Sequence, residues 1–140
     1  MSETMPGTTG FVPSDAEVAS VLAWFERYDA LAAALDYEGM AELAVFPLNE
    51  VTDDGKGQGK AEQLDRSAYL AQMEQVMGGG GDVKLETTRT PHFLSASLVF
   101  VISDGTMTYD GFTQPIRYGD LLLKVDGNWK FQTMVQGGWG

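Results

Sequence analysis

The sequence has no cysteine, one histidine, and fewer than half as many basic as acidic residues: 9 Lys and Arg against 20 Asp and Glu, a net charge of -11. Each shortage excludes something. Without cysteine there is no disulfide, no thiolate metal site and no cysteine nucleophile, although the compartment stays open. A single histidine, His92, leaves no His pair for zinc or copper, and the acidic residues lack the spacing of a calcium loop. Neither a metal nor another cofactor is expected. The acidic balance repels nucleic-acid phosphates and anionic membrane surfaces, which leaves a small molecule or another protein as partner. Long apolar runs are also missing. The longest, residues 98–102, cannot span a bilayer, and residues 1–13 show no basic cluster followed by an apolar stretch, so a cytoplasmic location is the expectation.

What is present suits one folded unit. A chain of 140 residues with 44% hydrophobic and 11% aromatic content is large enough to bury a core. Residues 1–13, rich in Gly, Thr, Ser and Pro, read as a flexible N-terminal arm, and residues 14–140 as a single domain. Ser14 with Glu17 three residues on predicts a capping box, and Trp24, Tyr28, Leu31 and Leu35 then recur on one helical stripe. Asp36 predicts the cap of a short second helix from Tyr37 to about Val45, ended by Pro47. A short strand over residues 48–52 and a turn at Asp53-Asp54-Gly55 lead to a polar segment that is either an edge strand or a loop. Asp65 caps a third helix with Tyr69, Leu70, Met73, Val76 and Met77 on its apolar face, closed by the glycines at 78–81. From residue 82 on the pattern is extended: 83–90, 95–103, 106–110, 114–125 and 129–136. Helices first and strands last predict an α+β domain, with helices packed on an antiparallel sheet. The other face of that sheet then meets solvent or a second copy, and its apolar content predicts a homodimer.

Residues 106–140 organise the rest. Asp126-Gly127 between two apolar runs is a strong hairpin signal, because the favoured tight turn needs positive φ at both central residues. The register is open. A two-residue loop pairs Val125 with Asn128 and Leu122 with Phe131, turning Asp120 to an apolar wall. A bulged three-residue loop pairs Leu121 with Thr133 and turns Asp120 away. The consecutive Leu121, Leu122 and Leu123 fit either.

Some signals fail. Gly55 to Gly59 is too short for a phosphate loop, and Lys60 precedes Ala61 rather than Ser or Thr. The glycines at 78–81 follow a helix, where the dipole disfavours an anion, so they read as a flexible turn. His92, beside Pro91 at an expected strand bend, is a proton carrier in one reading and a loop or edge residue in the other.

The succession of helix, short helix, strand, helix and terminal sheet resembles the nuclear-transport-factor-2-like superfamily, which includes SnoaL-like cyclases, scytalone dehydratase, limonene epoxide hydrolase and ketosteroid isomerase. Over residues 14–138 the resemblance implies a cone-shaped, cystatin-like barrel with N-terminal helices packed on a curved antiparallel sheet. Locally, Arg27-Tyr28 followed by Asp36-Tyr37-Glu38-Gly39-Met40 is similar to the Arg-Tyr and Asp-Leu-Asp-Gly-Ile of ketosteroid isomerase. Val51-Thr52-Asp53 resembles its Val-Glu-Asp after a one-residue insertion, and Asp120 stands eleven residues beyond the tyrosine of Tyr109-Asp110-Gly111, which resembles a Tyr-Gln-Gly. The resemblance implies that Tyr28 and Asp120 hold a developing oxyanion and that Asp53 moves the proton. It departs where Asp53 precedes Asp54-Gly55 instead of proline, and in the ending Gln136-Gly137-Gly138-Trp139.

The residue types suit that chemistry. A carboxylate beside an apolar pocket takes a proton from carbon next to a carbonyl, while a tyrosine hydroxyl and a neutral carboxylic acid donate to the enolate oxygen. The sequence therefore carries two readings. One is a cofactor-free isomerase, cyclase or dehydratase acting on a small apolar carbonyl compound through Tyr28, Asp53 and Asp120. The other is a non-catalytic module that holds an apolar ligand through Trp24, Tyr28, Phe46 and Phe131, or dimerises through its sheet. His92, Arg117 and Trp139 complete the candidate ligand-binding set. Trp139 either closes the pocket mouth or tethers the C-terminus, and Arg117 with Asp120 suggests a hydrolytic Asp-Arg-Asp set only where a bulge brings them to one face.

Overall fold

The computed structural model describes residues 10–78 and 83–140. Most of the expected arm, residues 1–9, and the glycines 79–81 lie outside the described residues. Three helices, α1 (Asp15–Ala33), α2 (Tyr37–Glu42) and α3 (Arg66–Met77), accompany six strands: β1 (Ala44–Asp53), β2 (Gly59–Leu64), β3 (Val83–Ser95), β4 (Leu98–Tyr109), β5 (Phe112–Val125) and β6 (Asn128–Val135). The sheet order is β2-β1-β6-β5-β4-β3, with β1 and β6 parallel and every other pair antiparallel. The fold is α+β, and its curved sheet stays open, with β2 and β3 as the edges.

Local chemistry builds the helices. Ser14 Oγ accepts from the Glu17 amide at 3.1 Å while the Glu17 carboxylate accepts from the Ser14 amide at 3.0 Å, so α1 begins on a full capping box. Its buried stripe is Val21, Trp24 and Phe25, with Tyr28 and Leu31 packed beside it. The helix ends before Leu35, which has φ of 55° and lies exposed instead of finishing the stripe. Asp36 and Asp65 cap α2 and α3 through their side chains.

Pro47 does not stop a helix. Chain 44–53 runs as one strand, and Pro47, which has no N–H to give, falls in the irregularity between Ala44 and Asn49 where the β1–β6 ladder shifts register. The polar segment after Gly55 is edge strand β2. The expected bend at Pro91-His92 is absent, because both residues pair regularly with β4. Asp104-Gly105 likewise passes through β4 without turning. A Cβ on Gly105 would stand 1.8 Å from the Glu86 carbonyl oxygen, so the close approach of paired β3 and β4 requires glycine there.

Both registers foreseen for the last hairpin occur. Asp126 and Gly127, at φ 52° and 82°, make the tight turn, with Val125 opposite Asn128 and Leu122 opposite Phe131. Between Leu121 and Leu122 the register slips, so that Leu121 faces Thr133 and Asp120 faces Met134. The extra residue on β6 is Gln132. All three helices contribute to one core on the concave face, with Tyr69, Leu122, Val99 and Val101 fully buried and Phe131 nearly so.

Candidate functional site

Buried Leu122 settles the face of Asp120. Alternation puts Tyr118, Asp120 and Leu122 on one side of β5, and buried Leu122 marks that side as the concave one. Asp120 stands between Val101 of β4 and Met134 of β6. These apolar surroundings push its carboxyl up from 3.8 to about 7. The positive charge of Arg89 opposes the shift and the negative charge of Asp29 adds to it. Among the described residues no hydrogen bond ties the partly buried carboxyl down.

Tyr28 reaches the same space from α1. Its hydroxyl lies 3.3 Å from that of Tyr69 on α3, and its ring packs against Trp24 and Phe131 with centroids 5.4 Å away in each case. Burial above all, then Tyr69, Asp120 and Tyr118, raises the Tyr28 hydroxyl well above its ordinary range, so it stays protonated as a donor. Phe46 lies 5.8 Å from Tyr69, centroid to centroid, on the other side. Buried Trp24 Nε1 has no hydrogen-bond partner among the described residues, a further donor in this aromatic wall.

Beside this cluster Arg89 of β3 joins three elements. It donates to Asp29 of α1 at 2.5 and 3.1 Å, to Ser103 Oγ of β4 at 3.1 Å and to the Tyr118 hydroxyl of β5 at 2.8 Å, with its guanidinium 4.5 Å from the Phe25 ring centroid. A second carboxylate, Glu50, lies on the concave side of β1 opposite Met134 and accepts a hydrogen bond from Gln72.

The sequence candidates thus divide. Tyr28, Asp120, Trp24, Phe46 and Phe131 come together around Tyr69. Asp53 is not brought to them: alternation along β1 puts it on the face opposite Glu50, where its carboxylate accepts from the amides of Gly138 at 2.8 Å and Gly55 at 3.3 Å. Trp139 lies in the tail held there, its amide on Thr52 Oγ1 at 3.0 Å and its side chain exposed. His92 faces the convex side opposite Phe100, and Arg117, also convex, pairs with Asp104. The slip at Gln132 lies on β6 and so leaves Arg117 and Asp120 on opposite faces of β5.

Four residues escaped the sequence reading. Tyr69 was counted with the apolar face of its helix, and Glu50 was overshadowed by Asp53 although it alternates with Leu48. Tyr118 shares the face of Asp120 two residues on in the same strand, but its partner Arg89 lies 29 positions away. Arg89 carries no local signal, since Asp29 is 60 positions away. Among the described residues no group of three or more His, Cys, Asp or Glu is placed to hold a metal ion, and no helix is long and apolar enough to cross a membrane.

No protein-family model matches the chain, and no curated protein matches it in sequence. Solved structures do match in shape. An NTF2-like protein of unknown function from Pseudomonas putida superposes with a TM-score of 0.73 at 17% identity, covering 89% of this chain and 87% of that one. The fold is nuclear-transport-factor-2-like. Aln2 from a Streptomyces species shares this NTF2-like fold at a TM-score of 0.72 and 18% identity over 89% and 92% of the two chains. A provisionally assigned scytalone dehydratase from Novosphingobium aromaticivorans follows at 0.66 and 20% identity, over 86% of this chain and 82% of its own. Within the NTF2-like cone of the present chain, the concave face carries the Tyr28, Tyr69 and Asp120 cluster.

Proposed function

We propose that residues 14–140 form a single cytoplasmic domain that catalyses proton transfer without a cofactor, as an isomerase, cyclase or dehydratase acting on a small apolar carbonyl compound. The observation that carries this reading is Asp120: a carboxyl on the concave face, free of hydrogen bonds among the described residues, beside the Tyr28–Tyr69 hydroxyl pair and pushed up to about 7. A group with that affinity for protons is suited to taking and returning one at neutral pH. In its carboxylate form Asp120 removes a proton from the carbon next to the carbonyl. Tyr28, backed by Tyr69, donates to the oxygen as the C–H electron pair becomes the enolate, and protonated Asp120 then returns the proton elsewhere on the substrate. Asp53, the base implied by resemblance, has no part in this scheme because its carboxylate is occupied by the tail amides. The dehydratase name among the structural neighbours is compatible with this chemistry.

The test is exchange of the α-protons of 2-tetralone in D2O, followed by NMR, together with a fluorescence titration of 2-naphthol across pH. The expected result is exchange that Asp120→Asn abolishes, and a bound naphthol more acidic than the free one. Binding with unchanged acidity and no exchange would refute the enzyme reading.

One observation favours the alternative of a ligand-holding or dimerisation module. The convex face carries Leu98, Phe100, Ile102, Leu121, Leu123 and Val135, while all three helices pack on the concave face. Sedimentation equilibrium checks the homodimer this face implies. Ligand affinity unchanged in Asp53→Asn and Asp120→Asn would favour the module.

A further inference from the structure

Tyr118 is the one tyrosine of the concave cluster whose hydroxyl is engaged by a cation. Arg89 Nη2 donates to its oxygen at 2.8 Å. A guanidinium has no acceptor, so the phenolic proton must point elsewhere, and the described residues supply no second partner for it. The arrangement is rigid, because Arg89 is also fixed by Asp29 and Ser103 and its side chain is only 11% exposed. A phenol that accepts from a guanidinium is polarised and becomes a stronger donor in turn. Tyr118 and Asp120, alternate residues of β5, have Cα positions roughly 7 Å apart along one face. Tyr118 is also close enough to Tyr28 to raise its hydroxyl.

We propose that Tyr118, oriented by Arg89, is a second oxygen-binding donor of the site, so that the protein takes carbonyl compounds bearing a further keto or hydroxyl oxygen besides the reacting one. This rests on the proton-transfer reading and deepens it. The reacting oxygen sits at Tyr28, the distant one at Tyr118, and two anchored oxygens hold the carbon between them over Asp120. A substrate with a single oxygen keeps the first contact and loses the second.

The test compares two probes, 2-naphthol with one oxygen and naphthalene-2,7-diol with two, titrated by fluorescence into wild type, Tyr118→Phe and Tyr28→Phe. The wild type is expected to bind the diol about tenfold tighter than the naphthol. Tyr118→Phe removes that preference and leaves naphthol affinity within about twofold, whereas Tyr28→Phe weakens both probes. A purely structural role for Tyr118 would lower the melting temperature and leave the ratio of the two affinities unchanged, which overturns the proposal. So does an equal loss of both probes in Tyr118→Phe. In either case a naphthol response to Tyr28→Phe keeps the proton-transfer reading intact. If wild type binds neither probe, both readings fall. Should Tyr118→Phe not fold, Arg89→Lys keeps the charge without the fork and is expected to erase the diol preference; a preserved preference counts against the proposal.

Discussion

The hydroxyls of Tyr28 and Tyr69 meet at 3.3 Å from helices 41 positions apart in the chain. Two hydroxyls that share one hydrogen bond leave one proton over, beside a carboxyl that has no hydrogen bond among the described residues. Tyr28→Phe is therefore expected to lower 2-naphthol affinity about tenfold and stability by only about 1 kcal/mol. Titration and thermal melts of the same variant separate the two. A large fall in melting temperature with intact binding would assign Tyr28 to the core alone.

Asp120 gives a pH signature with a definite sign. Its folded-state value, about 7, lies above the ordinary 3.8, so folding is unpenalised below pH 3.8 and loses stability as pH rises toward 7, above which the loss is constant. The full shift corresponds to at most about 4 kcal/mol, reduced by whatever solvent reaches the carboxyl. Asp120→Asn should flatten the pH dependence of the melting temperature between pH 4 and 7 and be the more stable protein at pH 8. Parallel curves for the two proteins would remove Asp120 from the buried face.

Asp53 distinguishes a clamp from a base. Asp53→Ala takes away the acceptor of the Gly138 and Gly55 amides, an expected loss of about 1 kcal/mol. It also frees the tail, seen as lower Trp139 fluorescence anisotropy in a variant whose other tryptophans are replaced. Exchange of 2-tetralone α-protons should persist. Its disappearance in a folded Asp53→Ala protein would return the base role to Asp53.

Gly105→Ala tests the close approach of β3 to β4. The added methyl would stand 1.8 Å from a backbone oxygen that has no rotamer by which to move aside, so the sheet must shift, at a cost of about 2 kcal/mol or more. Denaturant melts measure the loss. A neutral substitution would mean that β3 and β4 stand farther apart than described.

Much of the fold was legible in the sequence because the signals that start and stop elements act over a few residues. Ser14 with Glu17, the Asp36 and Asp65 caps and the Asp126-Gly127 turn stand where the sequence puts them. Such hydrogen bonds close within the same turn of chain and need nothing else to be folded. Pro47 and Asp104-Gly105 misled for the converse reason. Both are breakers in isolation, and both are absorbed by the sheet, one in a register shift and one in a close approach of paired strands.

The site belongs to the tertiary structure. The sequence by itself supplied Tyr28 and Asp120 as residue types, the α+β order of elements and the acidic net charge. It left the face of Asp120 open, because a strand alternates with a period of two and the run Leu121-Leu122-Leu123 does not say which of its residues is the buried one. Only the assembled sheet buried Leu122 and with it turned Asp120 inward, turned Asp53 away from the cone, and joined Tyr28 to Tyr69 and Arg89 to Asp29 and Tyr118. Those contacts span tens of residues, so their energies depend on where whole elements pack and leave no trace in the local sequence.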